Sequence, residues 1–261
     1  MSAVQLNAVK ENAAVVSIRA LTEDVYDLVL RAPEIASLTA SGQFVMISCG
    51  EGNYLRRPIS ICRADAEQGL LRLCFQTKGD GTRWLSALQP GMQTELLGPL
   101  GAGGFPVDEF ENGRVLLVGG GIGVFPLLTA AQKGNCDAVL GFRNKEAVCV
   151  EEDFRSLCGH VSICTDDGSY GTKGLVTGEV SSLLKDYAAV FACGPKPMLK
   201  AVADLCEKEG KPCFISLEER MGCGFGVCRV CACKVRLKDR EEYVRVCADG
   251  PVFCAKEVVF E

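Results

Sequence analysis

Four cysteines near the C-terminus have the spacing of ligands to an inorganic cluster. Cys223, Cys228 and Cys231 follow the pattern C-x4-C-x2-C, and Cys247 comes after a longer gap. This is the ligand order of plant-type [2Fe–2S] clusters, which pass single electrons. The spacing therefore predicts a one-electron carrier in the last part of the chain. Glycines that let a loop wrap closely around such a cluster alternate with the first ligand, at Gly222, Gly224 and Gly226.

Two alternatives remain open from the spacing alone. Structural zinc sites also use Cys-x2-Cys hooks, and the pair Cys228 and Cys231 is one. Zinc sites usually combine two such hooks, and this sequence has only one with that spacing, which favours iron–sulfur. The fourth ligand is also open, because Cys233 or Cys254 could replace Cys247.

Composition excludes several classes of function. The 261 residues carry a formal net charge of −5, so there is no basic field for nucleic acid or an anionic membrane. No apolar run approaches the roughly 18 residues that cross a bilayer, and the first residues lack the pattern of a signal peptide. We therefore expect a cytoplasmic protein. Most of its sixteen cysteines, such as Cys74 and Cys164, lie in apolar runs and are interpreted as reduced packing residues.

The first hundred residues favour short strands. Segments 15–18, 25–30, 44–47 and 70–75 are β-prone and separated by turn residues, which predicts an antiparallel barrel. One helix is expected to start near Thr82 and to stop before Pro90.

The pattern changes after the glycine-rich segment 101–106. Apolar strands at 114–118, 138–142, 161–164 and 189–193 alternate with helical stretches, which predicts a doubly wound parallel sheet covered on both faces. The expected fold class is thus a multidomain protein with all-β and α/β parts. Its expected domains are a β-barrel at 1–104, an α/β domain at 105–212 and a small cysteine-rich cluster module at 213–261.

Two segments of the predicted barrel could together bind a pyrophosphate. Arg57 offers a bidentate fork for a phosphate, and Ser60 lies three residues further on. The loop 78–82 precedes the predicted helix and could present free amides to an anion. Taken alone, the arginine segment is better explained as an edge strand with solvated side chains.

Glycine-rich turns follow the strands of the predicted sheet. Residues 119–123 do not form G-x-G-x-x-G, so a tight strand-to-helix turn is as good an explanation as a dinucleotide site. Segments 193–195 and 165–169 end at the same carboxyl edge, where ligands bind such sheets, although the second could be an ordinary turn. His160, the only histidine, lies at a turn after Gly159 and is better explained as a surface residue than as a catalyst, which argues against Ser–His–Asp catalysis. The chemistry must therefore come from cofactors.

The order of these motifs resembles the ferredoxin–NADP reductase superfamily. The motifs are 57–60, 79–82, 118–123 and 193–195. Segments 218–224 and 246–253 narrow the resemblance to the family of electron-transfer subunits of dihydroorotate dehydrogenase B. The resemblance covers essentially the full chain. It implies an FAD-binding barrel, an NAD-binding sheet domain and a [2Fe–2S] module.

The resemblance also implies partners and site residues. The partner would be a catalytic subunit that carries FMN and oxidises dihydroorotate in pyrimidine biosynthesis, in a heterotetramer of two of each. Electrons would pass from FMN through the cluster to FAD and then, as hydride, to NAD+, with Ser60 near the flavin and no catalytic side chain. The implied cluster ligands are Cys223, Cys228, Cys231 and Cys247. The implied FAD contacts are Arg57, Pro58, Ile59, Ser60, Cys74, Phe75, Gln76, Gly81 and Thr82. The implied nicotinamide contacts are Gly120, Gly121, Gly123, Cys193, Gly194 and Pro195.

Other functions stay open at this point. Arg143 follows the second sheet strand, where it could meet the 2′-phosphate of NADP. The small flavin subunit of a ferredoxin-dependent transhydrogenase or sulfide dehydrogenase has a similar fold and cluster loop. A protein of another class, a zinc-stabilised binding module, would lack flavin and iron altogether.

Overall fold

The computed structural model describes residues 7–102, 104–238 and 240–260. By packing, the chain divides into two compact units. Unit 1 consists of Met1–Gly104, Glu218–Ala232 and Arg245–Pro251, and unit 2 consists of Phe105–Leu217, Cys233–Val244 and Val252–Glu261. The division into three domains, with boundaries after residues 104 and 212, stays a prediction from the sequence.

Unit 1 contains a closed antiparallel barrel. Its strands are β1 (Val9–Ala20), β2 (Val25–Arg31), β3 (Phe44–Ile47), β4 (Arg57–Asp65), β5 (Leu70–Gln76) and β6 (Gln93–Leu100). Around the barrel they follow the order β1-β2-β5-β4-β3-β6. The antiparallel barrel expected from the sequence is confirmed.

Alternating apolar residues fill the inside of this barrel. Successive side chains of a strand point to opposite faces, so residues two apart share a face. Leu28 and Leu30 of β2 and Leu71 and Leu73 of β5 are fully buried in one core cluster. Burying such side chains stabilises the barrel by about 1.5–3 kcal/mol each.

Two short helices belong to the barrel, α1 (Pro33–Leu38) and α2 (Asp80–Ser86). Helix α2 begins two residues before the expected start near Thr82. The Thr82 hydroxyl accepts hydrogen bonds from the amides of Lys78 and Gly79, at 2.8 and 3.1 Å, and donates to the Gly79 carbonyl. Thr82, the third residue of the helix, therefore stabilises the first turn through these hydrogen bonds.

Unit 2 is built on a mixed sheet that is mostly parallel. Its first strands are β7 (Val115–Gly120), β8 (Cys136–Phe142), β9 (Val161–Thr165), β10 (Thr172–Lys173), β11 (Ala189–Cys193) and β12 (Cys213–Ser216). A hairpin of β13 (Ala232–Leu237) and β14 (Arg240–Arg245) and then β15 (Val252–Cys254) follow. The sheet has the order β10-β9-β8-β7-β11-β12-β15, and β15 alone pairs antiparallel. The predicted parallel sheet is thus confirmed.

Helices connect the parallel strands, as the alternating pattern requires. They are α3 (Leu127–Ala131), α4 (Glu151–Leu157), α5 (Val176–Leu183) and α6 (Lys196–Lys208), and the short α7 (Val246–Asp249) precedes β15. Strand β11 is buried throughout, and its Phe191 stacks on Phe105 with ring centroids 5.2 Å apart. No helix in the described part of the chain is long and apolar enough to span a membrane.

Candidate functional site

The predicted ligand cysteines lie on a loop between β12 and β13 and on helix α7. Gly224 in this loop has a φ of +82°, and a Cβ built on it would lie 2.4 Å from Cγ of Met46. Only glycine fits here, because it accepts this backbone angle and leaves room for Met46. The cysteine loop is therefore packed directly on barrel strand β3.

The four cysteines form two pairs. The amides of Cys223 and Cys228 each donate to the other residue's sulfur, at 3.4 and 3.5 Å. In the second pair, the Cys247 amide donates to the sulfur of Cys231 at 3.5 Å. Among the described residues, no three or more His, Cys, Asp or Glu side chains converge closely enough to hold a single metal ion. The arrangement is thus pairwise.

The two pairs have different electrostatic environments. Burial would raise the pKa of the Cys223 thiol, but amides of Cys228, Phe225 and Val227 donate to its sulfur and lower the pKa to about 6. Burial and the neighbouring Cys231 instead raise the pKa of Cys247 to about 12, while a Gly226 hydrogen bond acts in the opposite direction. A thiolate at Cys223 is therefore favoured at neutral pH, whereas Cys247 needs a positive partner to ionise.

Arg245 and Asp249 hold helix α7 in place, and the sequence reasoning had assigned no role to Arg245. The Arg245 guanidinium donates to both carboxylate oxygens of Asp249, at 2.8 Å each, and to the Gly226 carbonyl at 3.1 Å. The same guanidinium lowers the pKa of Asp249. Arg245 and Asp249 lie on either side of Cys247 in the sequence. An Arg and an Asp four residues apart, on either side of a candidate ligand, are the sequence signal that could have revealed this Arg245–Asp249 contact, called the α7 clasp below.

Cys247, the predicted fourth ligand, lies beside Cys231. Besides the contact between Cys247 and the Cys231 sulfur, the Val246 amide donates to the Cys231 carbonyl at 3.0 Å. Cys233 and Cys254 lie instead on strands β13 and β15. The ligand assignment itself stays a prediction.

Apolar side chains around the cysteine loop are exposed. Phe225, Val227 and Val230 are 42%, 74% and 57% exposed, and Cys228 between them is exposed as well. Exposed apolar side chains grouped on one loop are typical of an interaction surface.

The predicted pyrophosphate residues come together at one edge of the barrel. Arg57 begins β4, and its guanidinium lies against the first turn of α2, where a Cβ on Gly81 would be 2.7 Å from its Nε. Arg57 also donates through Nη1 to the Leu55 carbonyl. Pro58, Ile59 and Ser60 continue the same strand, and Ser60 is half-buried.

The predicted FAD contacts on β5 have side chains that bond to or pack against other protein residues. The Cys74 amide donates to the Cys62 sulfur at 3.2 Å, and the Phe75 ring stacks on Tyr26. The Gln76 side-chain amide donates to Asp24 at 2.6 Å. These side chains pack within the unit, so any ligand contact at 74–76 would use backbone groups.

The cysteine loop packs on strand β3, which is the neighbour of the strand that carries Arg57. Met46, which packs on Gly224, pairs with Pro58 across the β3–β4 ladder, and Ile47 pairs with Arg57. Within unit 1, one strand separates the two predicted cofactor segments.

In unit 2 the two predicted nicotinamide segments pack against each other. Strands β7 and β11 are neighbours, and Gly119 pairs with Cys193. A Cβ on Gly123 would lie 2.5 Å from the Cys193 carbonyl oxygen, and one on Gly120 would lie 3.0 Å from Pro195 Cδ. These two glycines are required by packing. Gly121 differs, because its φ is +55° and a Cβ there would face open space.

Two further turns lie at the same carboxyl edge. The Asp166 amide donates to the Phe142 carbonyl at 3.1 Å, so the turn after β9 packs on the end of β8. The hydroxyl and amide of Ser169 donate to Asp167 and lower its pKa. Asp166, Asp167 and the exposed Arg143 therefore all follow adjacent strand ends.

Comparison with known proteins agrees with these features. Residues 218–259 match the family model of the iron–sulfur cluster binding domain of dihydroorotate dehydrogenase B. Among solved structures, an NADH-dependent reduced ferredoxin–NADP oxidoreductase has a TM-score of 0.83 and 30% identity, covering 100% of this chain and 92% of that one. The ferredoxin reductase of carbazole 1,9a-dioxygenase has a TM-score of 0.67 and 21% identity, covering 80% of this chain and 68% of that one, and shares the fold.

Curated relatives cover nearly the whole chain. Dihydroorotate dehydrogenase B (NAD(+)) electron transfer subunits are 45% identical in Geobacillus thermodenitrificans and 42% identical in Bacillus caldolyticus, each over 258 residues. Both alignments cover 96% of this chain and 98% of the relative. The chain therefore belongs to the family of dihydroorotate dehydrogenase B (NAD(+)) electron transfer subunits.

Proposed function

We propose that this chain holds a [2Fe–2S] cluster and FAD, and that it passes electrons to NAD+ from an FMN-containing subunit that oxidises dihydroorotate. Beyond family membership, one observation carries the proposal. The cysteine loop packs on β3 through Gly224, and β4, the strand paired with β3, carries Arg57. A one-electron site and a pyrophosphate site would thus be neighbours within one compact unit.

The cysteine residues fit a two-iron cluster. Such a cluster takes four thiolates, two on each iron, and the four sulfurs here form two pairs. Amide hydrogen bonds to the sulfurs, as at Cys223 and Cys231, stabilise the ionised ligands. When bound, the cluster accepts and releases one electron at a time.

The barrel edge fits a dinucleotide with a pyrophosphate. Gly81 leaves space for the Arg57 guanidinium, which would bind the phosphates bidentately. Gly50, at φ +74°, leaves space for Trp84 of α2, since a Cβ there would lie 2.4 Å from the indole. The Ser60 hydroxyl would hydrogen-bond the flavin. FAD supplies the exchange between single electrons and a hydride.

The carboxyl edge of the sheet fits NAD+ better than NADP+. Gly121 leaves the end of β7 open to a close backbone approach. Asp166 and Asp167 follow β9, and the Ser169 hydrogen bonds keep Asp167 ionised. Two carboxylates would bind ribose hydroxyls and repel a 2′-phosphate, whereas Arg143 alone would attract it.

The partner would dock on the exposed side chains around Cys228. An electron must enter or leave where a cluster ligand reaches the surface, and Phe225, Val227 and Val230 surround Cys228 with apolar surface there. The occupant we propose is the FMN-containing catalytic subunit, in a heterotetramer of two of each chain. We place the complex in the cytoplasm, because a chain with this many cysteines in apolar segments suits a reducing compartment.

A transhydrogenase subunit is the second candidate. Its support is the 30% identity to the ferredoxin–NADP oxidoreductase chain, which is lower than the 41–45% identity to electron transfer subunits of dihydroorotate dehydrogenase B. The family model matched at 218–259 also favours the dihydroorotate reading.

Co-expression with a candidate FMN-containing catalytic subunit tests the proposal. We expect the two chains to co-purify as a yellow-brown complex with flavin and iron–sulfur absorption, and to reduce NAD+ with dihydroorotate. A colourless zinc-containing chain, or a complex that accepts electrons only from ferredoxin, would contradict it.

A further inference from the structure

A pair of thiols lies at the amino edge of the sheet in unit 2, away from the segments discussed above. Cys136 is the first residue of β8, and Cys158 directly follows helix α4. Their sulfurs are 3.5 Å apart. The backbones are already joined beside them, because the Gly159 amide donates to the Cys136 carbonyl at 3.0 Å.

We propose that Cys136 and Cys158 form a reversible disulfide in response to low-molecular-weight disulfides. The sulfurs need to approach by only about 1.5 Å to reach the bond length near 2.05 Å. Adjacent chain segments that already share a backbone hydrogen bond can make this movement without separating the strand from the helix end. No established role of the chain uses either residue.

The two thiols differ in access and acidity. Cys158 is half-buried and accessible, whereas Cys136 is buried. The hydrogen bond between the two sulfurs lowers the pKa of Cys136, with help from Arg114, and raises the pKa of Cys158. Access makes Cys158 the outer thiol that meets the oxidant, and the more acidic Cys136 beside it accepts the Cys158 proton and then, as the inner thiol, resolves the intermediate.

The chemistry balances with a disulfide such as oxidised glutathione. Cys158 passes its proton to the Cys136 thiolate and attacks one sulfur of glutathione disulfide, whose S–S bond breaks, and the first glutathione leaves as a thiolate and takes up the proton that Cys136 had released to solvent. Cys136 then gives up the proton it received and attacks the Cys158 sulfur, the mixed disulfide bond breaks, and the second glutathione leaves and takes up that proton. The protein loses two electrons and two protons, and the small disulfide becomes two thiols.

Two other pairs of neighbouring thiols differ from this one in their burial. Cys62 shares a hydrogen bond with Cys74, and Cys206 shares one with Cys213, but all four residues are buried. A small disulfide cannot reach them without local opening. We therefore expect oxidation at Cys136 and Cys158 rather than at these two buried pairs.

Mass spectrometry of the full-length holoprotein tests the proposal. The protein is equilibrated anaerobically with reduced and oxidised glutathione, acid-quenched, alkylated and digested with trypsin. The expected product joins peptides 134–143 and 156–173 and lacks two hydrogen atoms, with fragmentation placing the bond at Cys158 rather than Cys164. Dithiothreitol should reverse it.

Two variants sharpen the result. Cys158→Ser should lose the linked peptide completely, and Cys164→Ser, which removes a buried thiol from the same peptide, should keep it. Thermal unfolding adds a second readout, because a cross-link raises the Tm of the oxidised wild-type protein and should leave the Tm of Cys158→Ser unchanged. Absence of the linked peptide from the wild-type protein at every glutathione ratio, or a bond from Cys136 to Cys164, would overturn the proposal.

Discussion

Replacing Gly81 with alanine should weaken FAD binding without touching the proposed cofactor residue itself. The added methyl group would lie 2.7 Å from Nε and 2.9 Å from Cζ of Arg57. These separations are too short for van der Waals contact, and the flexible end of the arginine is the part that can move. The guanidinium should therefore shift by about 1 Å, while the barrel keeps its fold.

The size of the effect follows from what that shift breaks. A hydrogen bond to a charged group contributes about 1.5–3 kcal/mol, and a movement of about 1 Å takes a phosphate contact beyond hydrogen-bond distance. This corresponds to an FAD dissociation constant that is roughly 10 to 150 times higher. Stability should change by less than about 0.5 kcal/mol, because no core side chain moves.

The chain offers a matched control two residues away. Gly79 precedes the same helix, and a Cβ there would meet nothing within 4 Å. The hydrogen bond from its backbone amide to the Thr82 hydroxyl is retained in an alanine variant. Fluorescence titration of each apoprotein with FAD should find Gly79→Ala close to wild type and Gly81→Ala much weaker.

A double-mutant cycle with Arg57→Ala isolates the mechanism. Once the guanidinium is absent, the methyl group at position 81 has nothing to displace, so Gly81→Ala should have almost no further effect. Equal FAD affinity in Gly79→Ala and Gly81→Ala would refute the reasoning. Additive losses in the double variant would show that Gly81 acts on another part of the site.

Three further predictions concern the cluster, the nucleotide and the α7 clasp. Cys228→Ser should abolish electron flow from dihydroorotate to NAD+ and spare NADH oxidation by an artificial acceptor, while Cys233→Ser retains both; equal loss of both activities with FAD still bound would contradict the proposed order of carriers. Asp167→Ser should raise kcat/KM for NADPH relative to NADH roughly fivefold, since it removes a carboxylate that would repel the 2′-phosphate, and Asp204→Ser provides the control; an unchanged ratio would remove Asp167 from nucleotide selection. Asp249→Asn should lower the free energy of unfolding by about 1–2 kcal/mol and speed cluster loss, whereas Asp204→Asn, in an exposed pair with Lys200, should cost about 0.3–0.5 kcal/mol. Because the folded-state pKa of Asp249 is lowered, its contribution should be present above the unfolded value near 3.9 and fade as pH falls through the folded pKa; a difference between wild type and Asp249→Asn that persists unchanged to strongly acidic pH would contradict this.

The sequence pattern was enough to predict both main parts of the fold, the antiparallel barrel and the mostly parallel sheet. Alternating residues such as Leu71 and Leu73 mark a strand with one buried face, and the uninterrupted apolar run of β11 marks a strand buried on both faces. The start of α2 was missed by two residues, because Thr82 works from inside the first turn instead of preceding it.

The glycines after β7 could not be interpreted from sequence, because two different demands produce the same residue. Gly120 and Gly123 are glycines because Pro195 and Cys193 pack against them. Gly121 is a glycine because of its positive φ, and it faces open space. Only the position of β11 beside β7 separates these causes, and that pairing joins residues far apart in the chain.

The fourth ligand could not be chosen from the cysteine spacing either. The first three cysteines lie on one loop, so their spacing is fixed by how closely the chain wraps and can be recognised in the sequence. The residues between Cys231 and Cys247 form the β13–β14 hairpin, which the ligand spacing does not reveal. The bond from the Val246 amide to the Cys231 carbonyl closes the base of that hairpin, where Cys247 lies beside Cys231. Shortening the hairpin by two residues on each strand should therefore preserve the cluster spectrum, whereas breaking the Arg245–Asp249 clasp should not. Loss of the cluster in the shortened variant would mean that the hairpin itself, and not its closed base, positions Cys247.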